Sequence, residues 1–194
     1  MKDYIPTINI SSLLNKNFNS IASKKTIKKI ENACFEIGFF QITSHGINKK
    51  SINDIIGVGN LFFDSSIKNK LKLSPKKWNP LNKNIYRGYF PNNVNGKEGL
   101  DIGDPTVTKK IALKLKSPYI EYLNLGKVFN KKSIKIMDNY FDQMFILGEI
   151  LFKSIIQLYK KDVKNYKLAF SRLKTLSTLR FNCYPNQTKP VEIS

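Results

Sequence analysis

Residues 38–47 read Gly38-Phe39-Phe40-Gln41-Ile42-Thr43-Ser44-His45-Gly46-Ile47. Aromatic and β-branched side chains suit a pleated, half-buried backbone, so residues 39–43 are expected as a strand. Ser-His-Gly then supplies the small and polar residues that close it in a turn. Upstream, Ile27, Ile30, Cys34 and Ile37 recur at the three-to-four-residue interval of a helix over residues 23–37. Lysines fill the opposite face, Ser23 stands as N-cap, and Gly38 is the stop. Downstream, Ile52, Ile55, Ile56, Gly59, Phe62 and Phe63 mark one face of a second helix over residues 51–63. Ile67 and Leu71 mark a short third. Ahead of all of these, Pro6 leads into a strand over residues 5–10 with Ile8 and Ile10 alternating.

The rest of the chain reads outward from that block. Residues 74–118 are rich in proline and broken by Gly88, Gly96, Gly99 and Gly103. Irregular backbone of that kind lines a pocket or wraps a neighbouring domain, with strand-like pieces at 85–90 and 100–102. Residues 133–160 carry the clearest helical rhythm, through Met137, Phe141, Met144, Phe145, Gly148, Leu151, Phe152 and Ile155. At about 1.5 Å per residue such a helix is about 40 Å long, enough to back a whole domain. Its methionine–aromatic stripe reads as core. A shorter helical piece carries Tyr166, Phe170 and Leu173. The last element, residues 178–184, alternates, with Arg180, Asn182 and Tyr184 on one face and Leu179, Phe181 and Cys183 on the other.

Composition bounds the function. The 194 residues are 41% apolar and 24% charged, which suits a folded protein and excludes a wholly disordered one. No stretch nears the roughly 20 apolar residues of a membrane span, and MKDYIPTINISSL does not read as a secretory signal. Cys34 and Cys183 cannot build a disulfide framework; both lie in apolar runs and read as reduced, buried thiols, which implies a cytoplasmic setting. A net charge of +19 invites a nucleic-acid reading. However, of 33 basic residues only Arg87, Arg172 and Arg180 offer the planar fork that reads phosphates and guanine edges. The lysines are scattered in pairs, so a sequence-blind, salt-sensitive affinity for polyanions is expected, and no specific nucleic-acid partner. His45 is the one histidine, which excludes any site needing two imidazoles from this sequence.

Four motifs, in order along nearly the whole chain, resemble the iron(II)- and 2-oxoglutarate-dependent dioxygenases related to isopenicillin N synthase. They are Ile5-Pro6 with its strand; Gly38-Phe39-Phe40 through Ser44-His45-Gly46-Ile47 to Phe62-Phe63; Tyr86-Arg87-Gly88-Tyr89 with Lys97-Glu98-Gly99-Leu100-Asp101-Ile102-Gly103; and Leu179-Arg180-Phe181-Asn182-Cys183-Tyr184-Pro185. Ser44 stands where the family usually has Asn. The resemblance implies an α+β fold: N-terminal helices and strands plus a long backing helix, leading into an incomplete jelly-roll (double-stranded β-helix) barrel. It divides the chain into an N-terminal dioxygenase domain over residues 1–117, and a backing helix with the first jelly-roll strand or strands over 118–194.

The family holds iron through His-x-Asp and a distant His, all downstream of the Asn-x-Tyr-Pro strand. No His-x-Asp occurs in this sequence. Fe(II) and 2-oxoglutarate are therefore implied for a complete member, and firm binding of either by these residues is not expected. By the same resemblance Asn182 and Tyr184 reach the 2-oxoglutarate end of the pocket, and His45 is structural. Arg87, between two tyrosines, and Arg180 are candidate contacts for a small-molecule substrate. Lys97, Glu98 and Asp101 are expected to fix loop geometry. Three functions compete: an oxidoreductase fragment inactive alone; half of a split dioxygenase completed by a C-terminal jelly-roll half on a separate chain; and a non-enzymatic basic binding module. The strands near Ile8 and at 178–184 are expected to lack sheet neighbours.

Overall fold

A computed structural model describes residues 5–91, 96–117, 119–158, 170–173 and 176–184. The expected helical piece around Tyr166 and the stop at Pro185 lie outside these residues. The chain divides into two compact units, the first from Met1–Lys50 with Asp142–Phe170, the second from Ser51–Phe141 with Ser171–Ser194.

In the first unit, strand β1 (Thr7–Asn9) pairs in parallel with β2 (Gln41–Thr43), Ile8 opposite Ile42. Parallel neighbours need a crossover, and helix α1 (Ile21–Glu36) supplies it. β1 thus has a sheet neighbour, contrary to expectation, because β2 arrives beside it after the crossover. Ser20, not Ser23, caps α1: its Oγ accepts the Ser23 N–H at 3.1 Å, while the Ser23 hydroxyl donates to the Ser12 carbonyl at 2.9 Å. Ser23 is therefore fully buried within the first turn.

Ile27, Ile30 and Ala33 face inward and pack with Ile8, Ile10, Leu13 and Phe18. Leu147 and Ile150 complete this core. Because the buried stripe runs through Ala33, Cys34 is rotated about 100° away and exposed, which corrects the buried-thiol expectation; Cys183 is only half-buried. After β2 the turn holds Ser44 in the left-handed region at φ +54°. Asn, the residue the resemblance leads one to expect there, enters that region more readily than Ser. The His45 Nδ1 accepts the Ile47 N–H at 3.2 Å, a turn-bracing contact.

In the second unit, helix α2 (Lys49–Phe63) turns Ile55, Val58, Gly59 and Phe62 inward; Ile56, expected on that face, is exposed. The short helix α3 (Ile67–Leu71) follows, capped by Ser66. Strands β3 (Gly88–Phe90), β4 (Glu98–Ile102) and β5 (Leu179–Cys183) form an antiparallel sheet in that order. β5 pairs with β4 along its length, Leu179 opposite Ile102 and Cys183 opposite Glu98, so it too has a neighbour on one side. Tyr89, Leu100 and Ile102 share a core with α2, Leu73 and Met137. Phe62 sits at its centre, ringed by Phe63, Tyr89 and Phe129 at centroid distances of 5.3, 5.6 and 5.4 Å. A Cβ on Gly59 would stand 2.9 Å from the Phe181 ring, so the absence of a side chain lets α2 lie directly on β5.

Helix α4 (Lys109–Leu115), capped by Thr108, interrupts the stretch expected to be irregular; it buries no residue and so left no apolar rhythm to read. Helix α5 (Lys131–Leu158) has 28 residues; Met137 and Phe141 are buried in the second unit, Leu147 and Ile150 in the first. Met144 is 41% exposed and so is not the core residue its stripe suggested.

Candidate functional site

The chemistry-bearing side chains of the second unit converge on β4 and β5. Alternation along β5 holds as read: Arg180, Asn182 and Tyr184 stand on the exposed face, Leu179, Phe181 and Cys183 on the half-buried one. Antiparallel register sets Arg180 opposite Asp101. Its guanidinium donates to both carboxylate oxygens, from Nε at 2.6 Å and from a terminal nitrogen at 2.5 Å. Asp101 is buried, and its hydrogen bonds, then its charge, hold the Arg180 pKa above its ordinary value.

Arg87 is also buried, one residue ahead of β3. It donates to the Thr178 hydroxyl, to the Leu176 carbonyl at 3.2 Å and to the Ser177 carbonyl at 3.4 Å, pinning the segment that leads into β5. Burial pulls its pKa down, opposed by the charges of Asp101 and Glu121. The backbone N–H groups of Ile85, Tyr86 and Arg87 donate to the Glu121 carboxylate at 2.6, 2.9 and 2.9 Å. Arg172 grips Asp104 through two nitrogens at 2.8 and 2.9 Å and lies over the Phe141 ring. Thus Arg87 and Arg180, the two proposed substrate contacts, each hold partners of this chain: Arg180 through Nε and one terminal nitrogen, Arg87 through its terminal nitrogens, while the buried Arg87 Nε has no hydrogen-bond partner among the described residues. Asn182 and Tyr184 stand beside Arg180 on the exposed face, Tyr184 at 70% exposure.

On the other face of β4, Glu98 meets the Lys70 ammonium at 2.8 Å and accepts the Tyr89 hydroxyl. Lys70 also donates to the Phe63 carbonyl at 3.0 Å. Sequence reading missed Lys70, Asp104 and Glu121. The available signal was scarcity: with 14 acids among 33 bases, each acid at a strand or loop end is a candidate anchor. Lys70 had no signal among so many lysines.

Burial, then the hydrogen bond to Glu98, pushes the Tyr89 phenol above its ordinary pKa. Burial likewise raises the Cys183 thiol, with the Glu98 charge adding to it, so that thiol stays protonated and a weak nucleophile at neutral pH. For Tyr89 the neutral form is the one the fold favours. Its contribution to stability is complete below the unfolded pKa of about 10 and falls as pH rises from there toward the folded value. Tyr89→Phe should therefore be less stable at pH 8 yet lose less on going to pH 11 than the parent, as read by urea unfolding at both pH values. An equal loss in both proteins would contradict this.

The family model described as non-haem dioxygenase in morphine synthesis N-terminal matches residues 5–133. The chain belongs to this family. Its relatives include the 2-oxoglutarate-dependent dioxygenase tropC of Talaromyces stipitatus, 34% identical over 89 residues, which are 46% of this chain and 26% of tropC. Thebaine 6-O-demethylase of Papaver somniferum is 23% identical over 192 residues, 96% of this chain and 48% of that enzyme. The chain thus spans about half the length of such relatives, or less. In fold it is similar to Neurospora crassa T7H in complex with alpha-KG, with a TM-score of 0.64 at 20% identity, covering 93% of this chain and 51% of T7H. The dioxygenase-like fold read from the motifs, mixed in helix and strand and carrying part of a jelly roll, is therefore the one found.

The non-haem iron that the resemblance implies would need a donor set that these residues do not provide. A facial triad takes two imidazoles and a carboxylate, and the sequence has one imidazole, engaged in the turn after β2. Among the described residues no three His, Cys, Asp or Glu side chains cluster as a metal would require. Among them, too, no helix is long and apolar enough to cross a membrane.

Proposed function

We propose that this chain is the N-terminal part of an iron(II)- and 2-oxoglutarate-dependent oxidoreductase and is catalytically inactive by itself. The observation that carries this reading is the mismatch between kinship and donor set: a family match over residues 5–133 beside a single histidine. Its ligands for iron come from residues beyond these 194, further along the same polypeptide or on a second one bearing the rest of the jelly roll.

In that assembly the exposed row of β5 faces the cosubstrate. Asn182 and Tyr184 supply an amide and a phenol to 2-oxoglutarate, and Arg180, anchored on Asp101, holds the strand that presents them. Arg87 acts one step back, fixing Leu176, Ser177 and Thr178 so that β5 enters in register. Arg180 keeps donors beyond the two that Asp101 accepts, so it can also reach a substrate from the exposed face of β5. A cytoplasmic setting fits an exposed, unpaired Cys34.

The test is to read the DNA that follows codon 194 and its neighbourhood in the source genome. A stretch encoding His-x-Asp and a later His, in frame, shifted or in a separate gene, is expected. Its absence would overturn the proposal and favour a non-enzymatic role.

A further inference from the structure

Among the described residues of the second unit, two clefts share the wall Tyr122, Leu123 and Asn124, and their charges are opposite. One, of about 270 Å³, is lined by Asp104, Glu121 and Asp138 and by no basic residue. Its acids are employed: Asp104 on Arg172 and Glu121 on three backbone N–H groups, while Asp138 also has interactions of its own. The other, of about 280 Å³, is lined by Lys72, Lys83, Lys109 and Lys127 and by no carboxylate.

None of these four lysines meets a carboxylate among the described residues. Lys127 donates to the Asn82 amide oxygen at 2.6 Å and Lys72 to that of Asn69 at 3.0 Å, both uncharged acceptors. Lys83 and Lys109 have no hydrogen-bond or ion-pair partner among the described residues. The cleft is also built. Asn82 is 7% exposed and spends its amide N–H groups on the Lys72 and Ser74 carbonyls, which fixes the oxygen that receives Lys127. Asn84 ties the lysine loop to the Tyr122 carbonyl at 3.1 Å.

Like charges gathered in a concave, partly apolar site raise the local potential and favour an anion there. The donor type narrows the anion. A guanidinium fork matches planar carboxylates, and no arginine lines this cleft. Ammonium groups act as rotatable point charges, which suits a tetrahedral oxyanion. We propose that the cleft between Lys72, Lys83, Lys109 and Lys127 binds a small molecule through a multiply charged phosphoryl group. This goes beyond the dioxygenase reading and does not rest on it.

The probe is inorganic pyrophosphate, titrated calorimetrically into the full chain at about 0.15 M salt, where exposed charges more than about 8 Å apart are largely screened. One saturable site is expected. Lys83→Gln with Lys109→Gln should weaken it at least ~10-fold. Lys24→Gln with Lys25→Gln removes the same charge from exposed positions of α1 and should change it less than ~2-fold. Citrate should bind more weakly than pyrophosphate. No saturable binding, equal losses in the two double variants, or citrate binding as tightly as pyrophosphate would each overturn the proposal. Circular dichroism of both double variants confirms that folding is unchanged.

Discussion

Gly88→Ala is expected to destabilise the second unit by more than about 4 kcal/mol, enough to leave it unfolded or nearly so at room temperature. Gly88 opens β3 at φ +127°, a region that L side chains rarely adopt. A Cβ there would lie 2.0 Å from the Leu73 carbonyl oxygen, which is backbone and cannot rotate away. The same oxygen accepts the Tyr89 N–H at 3.2 Å, so moving it also breaks the contact that seats β3 beside the turn after α3. Strain and steric overlap therefore act at one point. Gly57→Ala is the control: a Cβ at this α2 position meets nothing within 4 Å, and the exchange should stabilise the helix by about 0.5–1 kcal/mol. Urea titrations followed by near-ultraviolet circular dichroism measure both. A Gly88→Ala protein with a midpoint close to the parent would show that β3 is not where the structure places it.

Phe62→Ala is expected to cost about 3–5 kcal/mol, the range for removing a buried aromatic ring from a close-packed core. Phe62 is 2% exposed and touches the aromatic rings of Phe63, Tyr89 and Phe129, so its removal opens a cavity between α2, β3 and the segment ahead of α5. The neighbouring rings are held by their own contacts: Tyr89 is fixed through its hydroxyl to Glu98 and cannot swing in to fill the space. Phe62→Leu, keeping much of the volume, should lose well under half as much. Equal, small losses from both would mean that the ring does not sit at the centre of this core.

Much of the fold was legible because its signals are local. The strand–turn run at 39–47, the helix ending in Phe62-Phe63, the long α5 and the alternation of β5 each announce themselves within a few residues. What escaped depended on partners far along the chain. The buried face of α1 was read through Cys34, whereas packing selected Ala33; the two positions differ by one residue and periodicity alone does not choose between them. Both strands thought to be without neighbours found one, β1 through a parallel crossover and β5 through β4, some 80 residues earlier in the sequence. α4 has no buried face at all and so leaves no pattern.

Of the candidate site, the placement along β5 was legible, and the engagements of its side chains less so. Arg87, Arg180, Asn182 and Tyr184 do gather about β5, but strand register is what pairs Arg180 with Asp101. The burial of Arg87 against Thr178 likewise depends on a contact across 91 positions. A single-sequence reading sees that a guanidinium is scarce in a lysine-rich chain. It does not see that each of the three arginines holds an anchor within the chain.

The central claim is that kinship to the dioxygenases comes here without the means to hold iron. The most direct measurement is succinate release and oxygen uptake by the purified 194-residue chain supplied with Fe(II), 2-oxoglutarate and ascorbate under air. The account predicts no succinate above a protein-free control. Sustained formation of succinate, more than one equivalent per chain and abolished by a chelator, would contradict it.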